Sequence, residues 1–464
     1  MATDAWRVAL LCATVVLVYL NSLAGAFQFD DFNVIVLNPV VHSLEGWWPD
    51  LGIGIRPLLK LTYVLNWTLG PDAFGFHVFN IAIHVTNSIL VFTLARLLIN
   101  GYGQPIACHA PTAALIAALL FALHPAQTEA ITYISGRSSA LMATFYLGAM
   151  IAYIAGTLRE QHVLSRVLSP LLFCLALATK ESAISLPLAL LAWEVVRQGP
   201  HAWQRVARRL SIHGIVLLAA AIGMLHHPVY GEHVVPQLDA SAMYANLLTQ
   251  IDAISYLVSR LIVVYPLNID PALRLVTAWT PLLAAKAVLL LTLMALGILA
   301  VRRRPWVGFG ALWFFVQLAP TNSLLPRLDL ANDRQLYLAG IGVFVAAGVE
   351  IRLLCDRVAQ PRRALWALLA MLFVVLGGLT SLRNRDYATE ITLWEQTARG
   401  SPRKARVFNN LGYAYSAAGC FPQAEAAYRE ALRLQPDYAI ARDNLATLMQ
   451  RAKSEPTTGC KQSG

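Results

Sequence analysis

Long apolar segments follow one another along most of this sequence, and short polar connections separate them. A helix needs about 20 predominantly apolar residues to cross a bilayer, and a shorter segment can draw on its flanks. The pattern therefore predicts an all-α, polytopic helical membrane protein with about 11 spans. The predicted spans are residues 8–20, 76–99, 112–123, 140–157, 164–178, 183–196, 212–226, 282–301, 307–318, 335–351 and 364–382.

The first apolar segment, residues 8–20, has two interpretations. Its length also suits the apolar core of a cleaved signal peptide, and the small residues at 24–26 resemble a cleavage site. Because many apolar segments follow it, we interpret it as an uncleaved first span.

Basic residues set the predicted orientation, because cytoplasmic loops carry an excess of Lys and Arg. The basic loops at 197–209, 302–304 and 352–363 share one side only if the apolar segment 251–266 does not cross the membrane. The polar residues of that segment fall mostly at helical spacing, which is typical of a helix with one wet face. We therefore expect a re-entrant or interfacial segment there, a cytoplasmic N-terminus and an extracytoplasmic C-terminus.

The chain becomes more polar after residue 382. Residues 405–438 have the spacing of one tetratricopeptide repeat, with small residues where two helices approach and Pro436 at the end. Partial repeats flank it, and so short an array is expected to pack against the membrane domain. We predict a membrane domain at 1–382, a repeat domain at 383–453 and a disordered tail at 454–464.

Composition narrows the functional class. The chain is 57% apolar and only 13% charged, whereas about a quarter of an ordinary globular chain is charged. These values exclude a disordered chain, a nucleic-acid-binding domain and a secreted disulfide scaffold. The six cysteines show neither metal-ligand spacing nor a paired framework. Motifs of ATP-driven or nucleotide-dependent enzymes are absent from the sequence.

Acidic residues are concentrated on one side of the predicted topology. Of 18 acidic residues before residue 383, thirteen fall on the extracytoplasmic side, with basic residues among them. Charged groups at a membrane are costly and are candidates for function. We therefore expect a polar cavity that opens outward. The candidate residues are Asp30, Asp31, Arg56, His124, Glu129, Arg137, Lys180, Glu181, Asp333 and Arg334.

Five of these candidates also have a purely structural explanation. Asp30 and Asp31 would form a solvated helix end, although two adjacent carboxylates in a dry site would raise one pKa. Arg137 would reach towards lipid headgroups, although an arginine at a helix N-terminus also suits an anion. Lys180 and Glu181 would simply mark a charged turn at the membrane surface.

Several short motifs occur in the order found in one known family. The chain resembles the transmembrane and tetratricopeptide repeat-containing (TMTC) O-mannosyltransferases of the GT-C class, and their bacterial relatives. It departs from them in its very short repeat array. The motifs are Asp30-Asp31 after the first span, Arg56-Pro57-Leu58, Gly75-Phe76-His77 with Asn80 and His84, residues 122–130, Gly136-Arg137, Lys180-Glu181, residues 320–322 and residues 333–337.

The resemblance implies a GT-C-like membrane glycosyltransferase. Such an enzyme would move mannose or a similar hexose from a polyprenyl- or dolichyl-phosphate donor to a Ser/Thr hydroxyl or another extracytoplasmic protein or lipid acceptor, with inversion. Asp30 or Asp31 would be the general base. The other candidates would bind the donor phosphate and the substrate. The leaving phosphate needs positive charge rather than a general acid, so neither a metal nor a cofactor is expected.

Two other functions stay open on the sequence alone. A membrane-anchored scaffold would bind a protein partner through the repeat. A transporter of lipid-linked sugars would also have outer charges, but inverted repeats are expected in that class and the sequence shows none. In each case the protein is expected in a bacterial inner membrane, or in the endoplasmic reticulum of a eukaryotic host, and nucleic acid is not an expected partner.

Overall fold

A computed structural model describes residues 2–103, 106–198, 203–229, 240–322, 329–357, 362–454 and 460, and the regular elements among them are all helical. The all-α class predicted from the sequence is confirmed. In chain order the α-helices are α1 Ala2–Tyr19, α2 Leu44–Asp50, α3 Pro57–Leu69, α4 Ala73–Gly101, α5 Ala110–Leu123, α6 Thr128–Ile131, α7 Arg137–Leu158, α8 Ser169–Thr179, α9 Leu186–Gln198, α10 Trp203–His226, α11 Ala240–Arg260, α12 Pro281–Ala300, α13 Pro305–Leu318, α14 Leu336–Arg357, α15 Arg362–Asp386, α16 Glu390–Gly400, α17 Ala405–Ala417, α18 Phe421–Leu434 and α19 Ala439–Ser454.

The chain is a multi-pass membrane protein, although the predicted number of spans is not confirmed. Within the described residues, seven helical segments are long and apolar enough to cross a bilayer, or eight if a pair bent by 58° at residue 124 is one span. Two further apolar helices, Leu164–Thr179 and Pro305–Leu318, are shorter than a full span. The predicted span 183–196 corresponds to α9, which has only 13 residues. The seven are Asp4–Ala24, Ala73–Gly101, Ile134–Leu158, Trp203–His226, Pro281–Ala300, Asp333–Arg357 and Arg363–Asp386.

The doubtful segment 251–266 begins inside α11 and continues past its end at Arg260 into irregular chain. The helix is not among the candidate spans of the described residues. That this segment does not cross the membrane stays a prediction, as does the side on which each terminus lies.

Helix α5 lies at the centre of the membrane domain and packs against α1, α4, α14 and α15. Its sequence is apolar on all sides, which is typical of a helix buried all round, and nearly all of its residues are buried. Small residues let the neighbouring helices approach closely. A Cβ atom added at Gly310 of α13 would lie only 2.5 Å from the carbonyl oxygen of Gly342 in α14.

The C-terminal helices form the predicted repeat. Helices α17 and α18 make an antiparallel pair in which a Cβ added at Gly412 would come within 2.6 Å of the Tyr428 ring. A disulfide joins Cys420, just before α18, to Cys460 in the tail. The expectation that the cysteines form no pairs is therefore wrong. The two bonded cysteines are 40 residues apart in the sequence, and that separation did not suggest a pair. Most of the predicted disordered tail, 454–464, lies outside the described residues.

The repeat domain packs against loops at one end of the membrane domain. Arg406 of α17 pairs with Asp270 at 2.7 Å and with Asp329 at 2.9 Å. The Asn268 amide donates to the Ser401 hydroxyl at 2.8 Å. These contacts join the repeat to the loops that follow α11 and precede α14, and they place it beside the candidate site.

Candidate functional site

Four of the ten candidate residues line one cavity at this end of the membrane domain. Asp30, Arg56, Lys180 and Arg334 surround a space of about 150 Å³. A second space of about 30 Å³ shares Lys180 and Arg334 with it. The other lining residues of the larger space are Val34, Leu59, Tyr63, Ser135, Ser138, Thr321, Asn332 and Gln335.

Asp30 is presented to the cavity by a strained turn. The preceding residue, Phe29, has φ of 48°, a left-handed conformation that is uncommon for residues other than glycine and is often found at functional sites. The backbone N–H of Asp30 donates to the Tyr133 hydroxyl at 3.0 Å. Burial raises the pKa of the half-buried Asp30 carboxyl, and the nearby Arg334 opposes that change.

Asp31 has a different environment although it is the next residue. Its side chain is 1% exposed. One carboxylate oxygen accepts the Gln28 N–H at 3.0 Å and the other accepts the Ser135 N–H at 2.8 Å. Burial raises the pKa of Asp31 to about 7, against the effect of these hydrogen bonds. Asp31 therefore joins the loop after α1 to the start of α7, and it does not line the cavity.

Two of the cations in the cavity are held by neighbouring polar side chains. Arg56, at the start of α3, has φ of 58°, and its guanidinium bonds both carboxylate oxygens of Glu181 at 2.9 and 2.8 Å. The Lys180 ammonium donates to the Ser139 hydroxyl at 2.7 Å. Glu181 thus orients Arg56, and the turn between α8 and α9 supplies both members of the Lys180-Glu181 motif.

Arg334, just before α14, lies close to two acidic side chains. It lies 3.6 Å from Glu129 and 3.6 Å from Asp329. The second oxygen of Glu129 accepts the N–H of Asp333 at 2.7 Å. The side chains of Glu129 and Asp333 are both buried, and neither lines the larger cavity; Glu129 lines a separate space of about 10 Å³ with Asp30 and Arg334.

Arg137 and His124 point away from the cavity. The buried Arg137 guanidinium donates to Asn80 at 2.6 Å and to the Phe76 carbonyl at 3.1 Å. It also lies 4.9 Å from the centre of the Tyr63 ring. The His124 ring accepts the Ala126 N–H at 3.2 Å. The Arg137 guanidinium therefore joins α7 to α4, the His124 ring binds its own turn, and neither side chain lines the cavity.

Comparisons with known proteins agree with this architecture. Residues 405–438 match the tetratricopeptide repeat model. A protein O-mannosyl-transferase of Caenorhabditis elegans is 24% identical over 92% of this chain and 63% of its own length. The Drosophila melanogaster protein O-mannosyl-transferase Tmtc3 is 26% identical over 96% of this chain and 56% of its own length. The chain is thus similar to the TMTC proteins over more than nine tenths of its length.

The match to the TMTC proteins differs in extent from one relative to another. A mouse relative, protein O-mannosyl-transferase TMTC4, is 35% identical, but only over 32% of this chain. The chain spans about half to two thirds of the length of the nematode and Drosophila relatives. The resemblance inferred from the motif order is confirmed, together with the membrane helices and the repeat.

Some residues of the site were not singled out from the sequence. Tyr133 and Ser135 precede α7, beside the Gly136-Arg137 motif, and Gln335 follows Arg334 directly. Their position within the quoted motifs was the available signal. Arg406 belongs to the repeat, and no pattern in the sequence indicated that it approaches Asp329.

The cavity combines one carboxylate with three cations. Such a site suits an anionic ligand such as a phosphate, because lysine and arginine form strong charge-assisted hydrogen bonds to its oxygens. A carboxylate on the same wall can accept a proton from a hydroxyl. The described residues include no group of three side chains with the chemistry and spacing to hold a metal ion.

Proposed function

We propose that this chain is a membrane glycosyltransferase that moves mannose or a similar hexose from a polyprenyl-phosphate donor to a hydroxyl acceptor. The observation that carries the proposal is the placement of Asp30 in one cavity with Arg56, Lys180 and Arg334. The printed names of the TMTC relatives support the sugar and the reaction class. A Ser/Thr hydroxyl of a protein is the acceptor that fits those names.

The three cations are assigned to the donor phosphate. When the bond between the anomeric carbon and the phosphate oxygen breaks, the bonding electron pair leaves with the phosphate and its charge increases. Lys180 and Arg334 line both the larger space and the second one, so they are the best placed to neutralise that charge. Arg56 lines the larger space only, and Glu181 fixes its orientation.

Asp30 is assigned as the general base. It accepts the proton of the acceptor hydroxyl while the hydroxyl oxygen bonds to the anomeric carbon, and this direct displacement inverts that carbon. Asp31 is unsuited to the same role, because backbone N–H groups occupy both of its carboxylate oxygens. The raised pKa of Asp30 brings the base closer to the pH at which it works.

The remaining predicted site residues are assigned supporting roles. Glu129 and Glu181 orient cations of the cavity. Arg137 holds α3, α4 and α7 together from a buried position, and His124 caps the short turn before α6. No step of the proposed reaction needs a metal ion or a cofactor, because the protein supplies the positive charge itself.

The proposed reaction takes place on the extracytoplasmic side. A disulfide between Cys420 and Cys460 supports an outer location of the repeat, since such bonds persist in oxidising compartments. The proposed membrane is the bacterial inner membrane, or the endoplasmic reticulum of a eukaryotic host. A protein acceptor or partner would contact the repeat.

The test is sugar transfer by the purified full-length protein. Polyprenyl-phosphate mannose and a Ser/Thr-rich peptide are the substrates, and product formation is followed by mass spectrometry. Lys180→Gln is expected to reduce kcat/KM by about 10² or more, whereas Arg303→Gln, which removes a charge remote from the cavity, should leave it unchanged. If folded wild-type protein transfers no sugar from any polyprenyl-phosphate donor, the proposed function is wrong.

A further inference from the structure

A second and larger cavity lies where the membrane domain meets the repeat. It encloses about 490 Å³ and has no lining residue in common with the cavity of Asp30. Its walls come from the end of α11, the loop after it, the end of α15 and helix α16. The lining residues are Tyr256, Arg260, Tyr265, Pro266, Leu267, Asn268, Pro271, Ala272, Leu273, Asp386, Gln396, Arg399 and Gly400.

Arg260 and Arg399 are the basic residues of this lining. Arg260 acts electrostatically on the buried Asp333 carboxyl, although the two form no ion pair within 4 Å among the described residues. Arg260 is held in place by a bond to the Pro266 carbonyl at 3.0 Å and by the Tyr256 ring, 5.0 Å away. Asp386, the acidic residue of the lining, is already bonded to Arg383 at 2.9 Å.

The surroundings of the cavity place it at the membrane surface. Asp386 is the last residue of a candidate span. The chain from the cavity to α12 exposes large apolar side chains, among them Ile262 at 80%, Leu275 at 61% and Trp279 at 54%. Such exposed apolar groups, with tryptophan among them, are typical of contact with the interfacial region of a bilayer.

We propose that this cavity binds the phosphate headgroup of an anionic phospholipid, with the phosphate between Arg260 and Arg399. Arginine recognises phosphate through paired, charge-assisted hydrogen bonds. The apolar and aromatic walls suit the glycerol and the first carbons of the acyl chains. Arg260 belongs to the membrane domain and Arg399 to the repeat, so one lipid ties the repeat to the membrane surface.

The experiment measures lipid retention by the full-length protein. Protein purified in detergent is incubated with phosphatidylglycerol or phosphatidylcholine, and bound lipid is counted by native mass spectrometry. Phosphatidylglycerol should bind more tightly than phosphatidylcholine. Arg260→Gln and Arg399→Gln should each weaken phosphatidylglycerol binding about fivefold to tenfold. Arg385→Gln removes an exposed arginine of the same region that does not line the cavity, and it should change nothing.

Three further measurements separate the alternatives. Inorganic phosphate at the same concentration should not displace phosphatidylglycerol, and displacement would show a site for free phosphate instead. Lys180→Gln should weaken binding of polyprenyl phosphate and leave phosphatidylglycerol bound. If Arg260→Gln weakens polyprenyl phosphate as strongly as Lys180→Gln does, the cavity is part of the donor site and the proposal is wrong. Equal retention of the two phospholipids would also overturn it.

Discussion

Replacing each of the two adjacent aspartates by asparagine should separate catalysis from stability. Asp30→Asn removes the carboxylate from the cavity but keeps the size of the side chain. A general base contributes about 10² to 10⁴ in rate, so kcat should fall by that factor. The Asp30 side chain is half-buried in the cavity wall, and the thermal stability of this variant should remain close to that of the wild type.

Asp31→Asn should have the opposite profile. Its two carboxylate oxygens accept the N–H groups of Gln28 and Ser135, and an asparagine amide can accept only one of them. One buried N–H then loses its partner, which costs about 1–3 kcal/mol of folding free energy. Because Asp31 does not line the cavity, kcat of the folded variant should change less than tenfold.

The pH dependence of stability gives an independent check on Asp31. Burial raises its pKa to about 7 in the folded protein, compared with about 3.9 in an unfolded chain. The folded state therefore keeps a proton that the unfolded chain has lost, and this stabilisation is lost as the pH rises through about 7. On raising the pH from about 5 to about 8, the wild type should lose more stability than Asp31→Asn does.

Both measurements use protein in the same detergent. Transfer from polyprenyl-phosphate mannose gives kcat, and thermal denaturation followed by tryptophan fluorescence gives stability. The assignment of the base would be refuted by an Asp30→Asn variant that keeps wild-type kcat. It would also be refuted if Asp31→Asn lost 10² or more in kcat at unchanged stability.

Three further predictions concern the repeat. Arg406→Gln removes the ion pairs to Asp270 and Asp329, so limited proteolysis should release the repeat faster; an unchanged rate would show that these pairs do not hold it. Gly412→Leu adds a side chain at a position where even a Cβ atom would come within 2.6 Å of the Tyr428 ring, so it should destabilise the repeat by a few kcal/mol, and an unchanged melting temperature would contradict that packing. Cys460→Ser should leave one thiol at Cys420, which is 1% exposed and should be alkylated after unfolding in denaturant, whereas the unfolded wild type should show no reaction there without a reductant.

The sequence predicts the helices better than it predicts the number of crossings. Apolar segments are reliable signals, and each predicted span lies on a helix. Length decides whether a helix crosses, and α8, α9 and α13 are shorter than about 20 residues. Tertiary packing decides whether the helices on either side of the break at residue 124 form one bent span or two separate segments. The hydrophobicity of the sequence does not reveal this.

The sequence also identifies the charged candidate residues, but it does not show which way their side chains point. Asp30 and Asp31 are equivalent in composition, yet one lines a cavity and the other is bonded to two backbone N–H groups. Arg137 was assigned to a donor phosphate because it starts a helix, whereas its guanidinium contacts Asn80. A shift of one residue along a turn rotates a side chain to another face, so only the folded backbone distinguishes these cases.

The position of Arg406 links the repeat to the cavity. Its guanidinium bonds Asp329 at 2.9 Å, and Asp329 lies 3.6 Å from Arg334, which lines the cavity. Without Arg406, Asp329 would lose its closest cationic partner among the described residues and would attract Arg334 more strongly. The positive charge that Arg334 presents to the cavity, where we propose that the donor phosphate binds, therefore depends on a side chain of the repeat. Docking of the repeat and the electrostatics of the cavity are thus linked through one carboxylate.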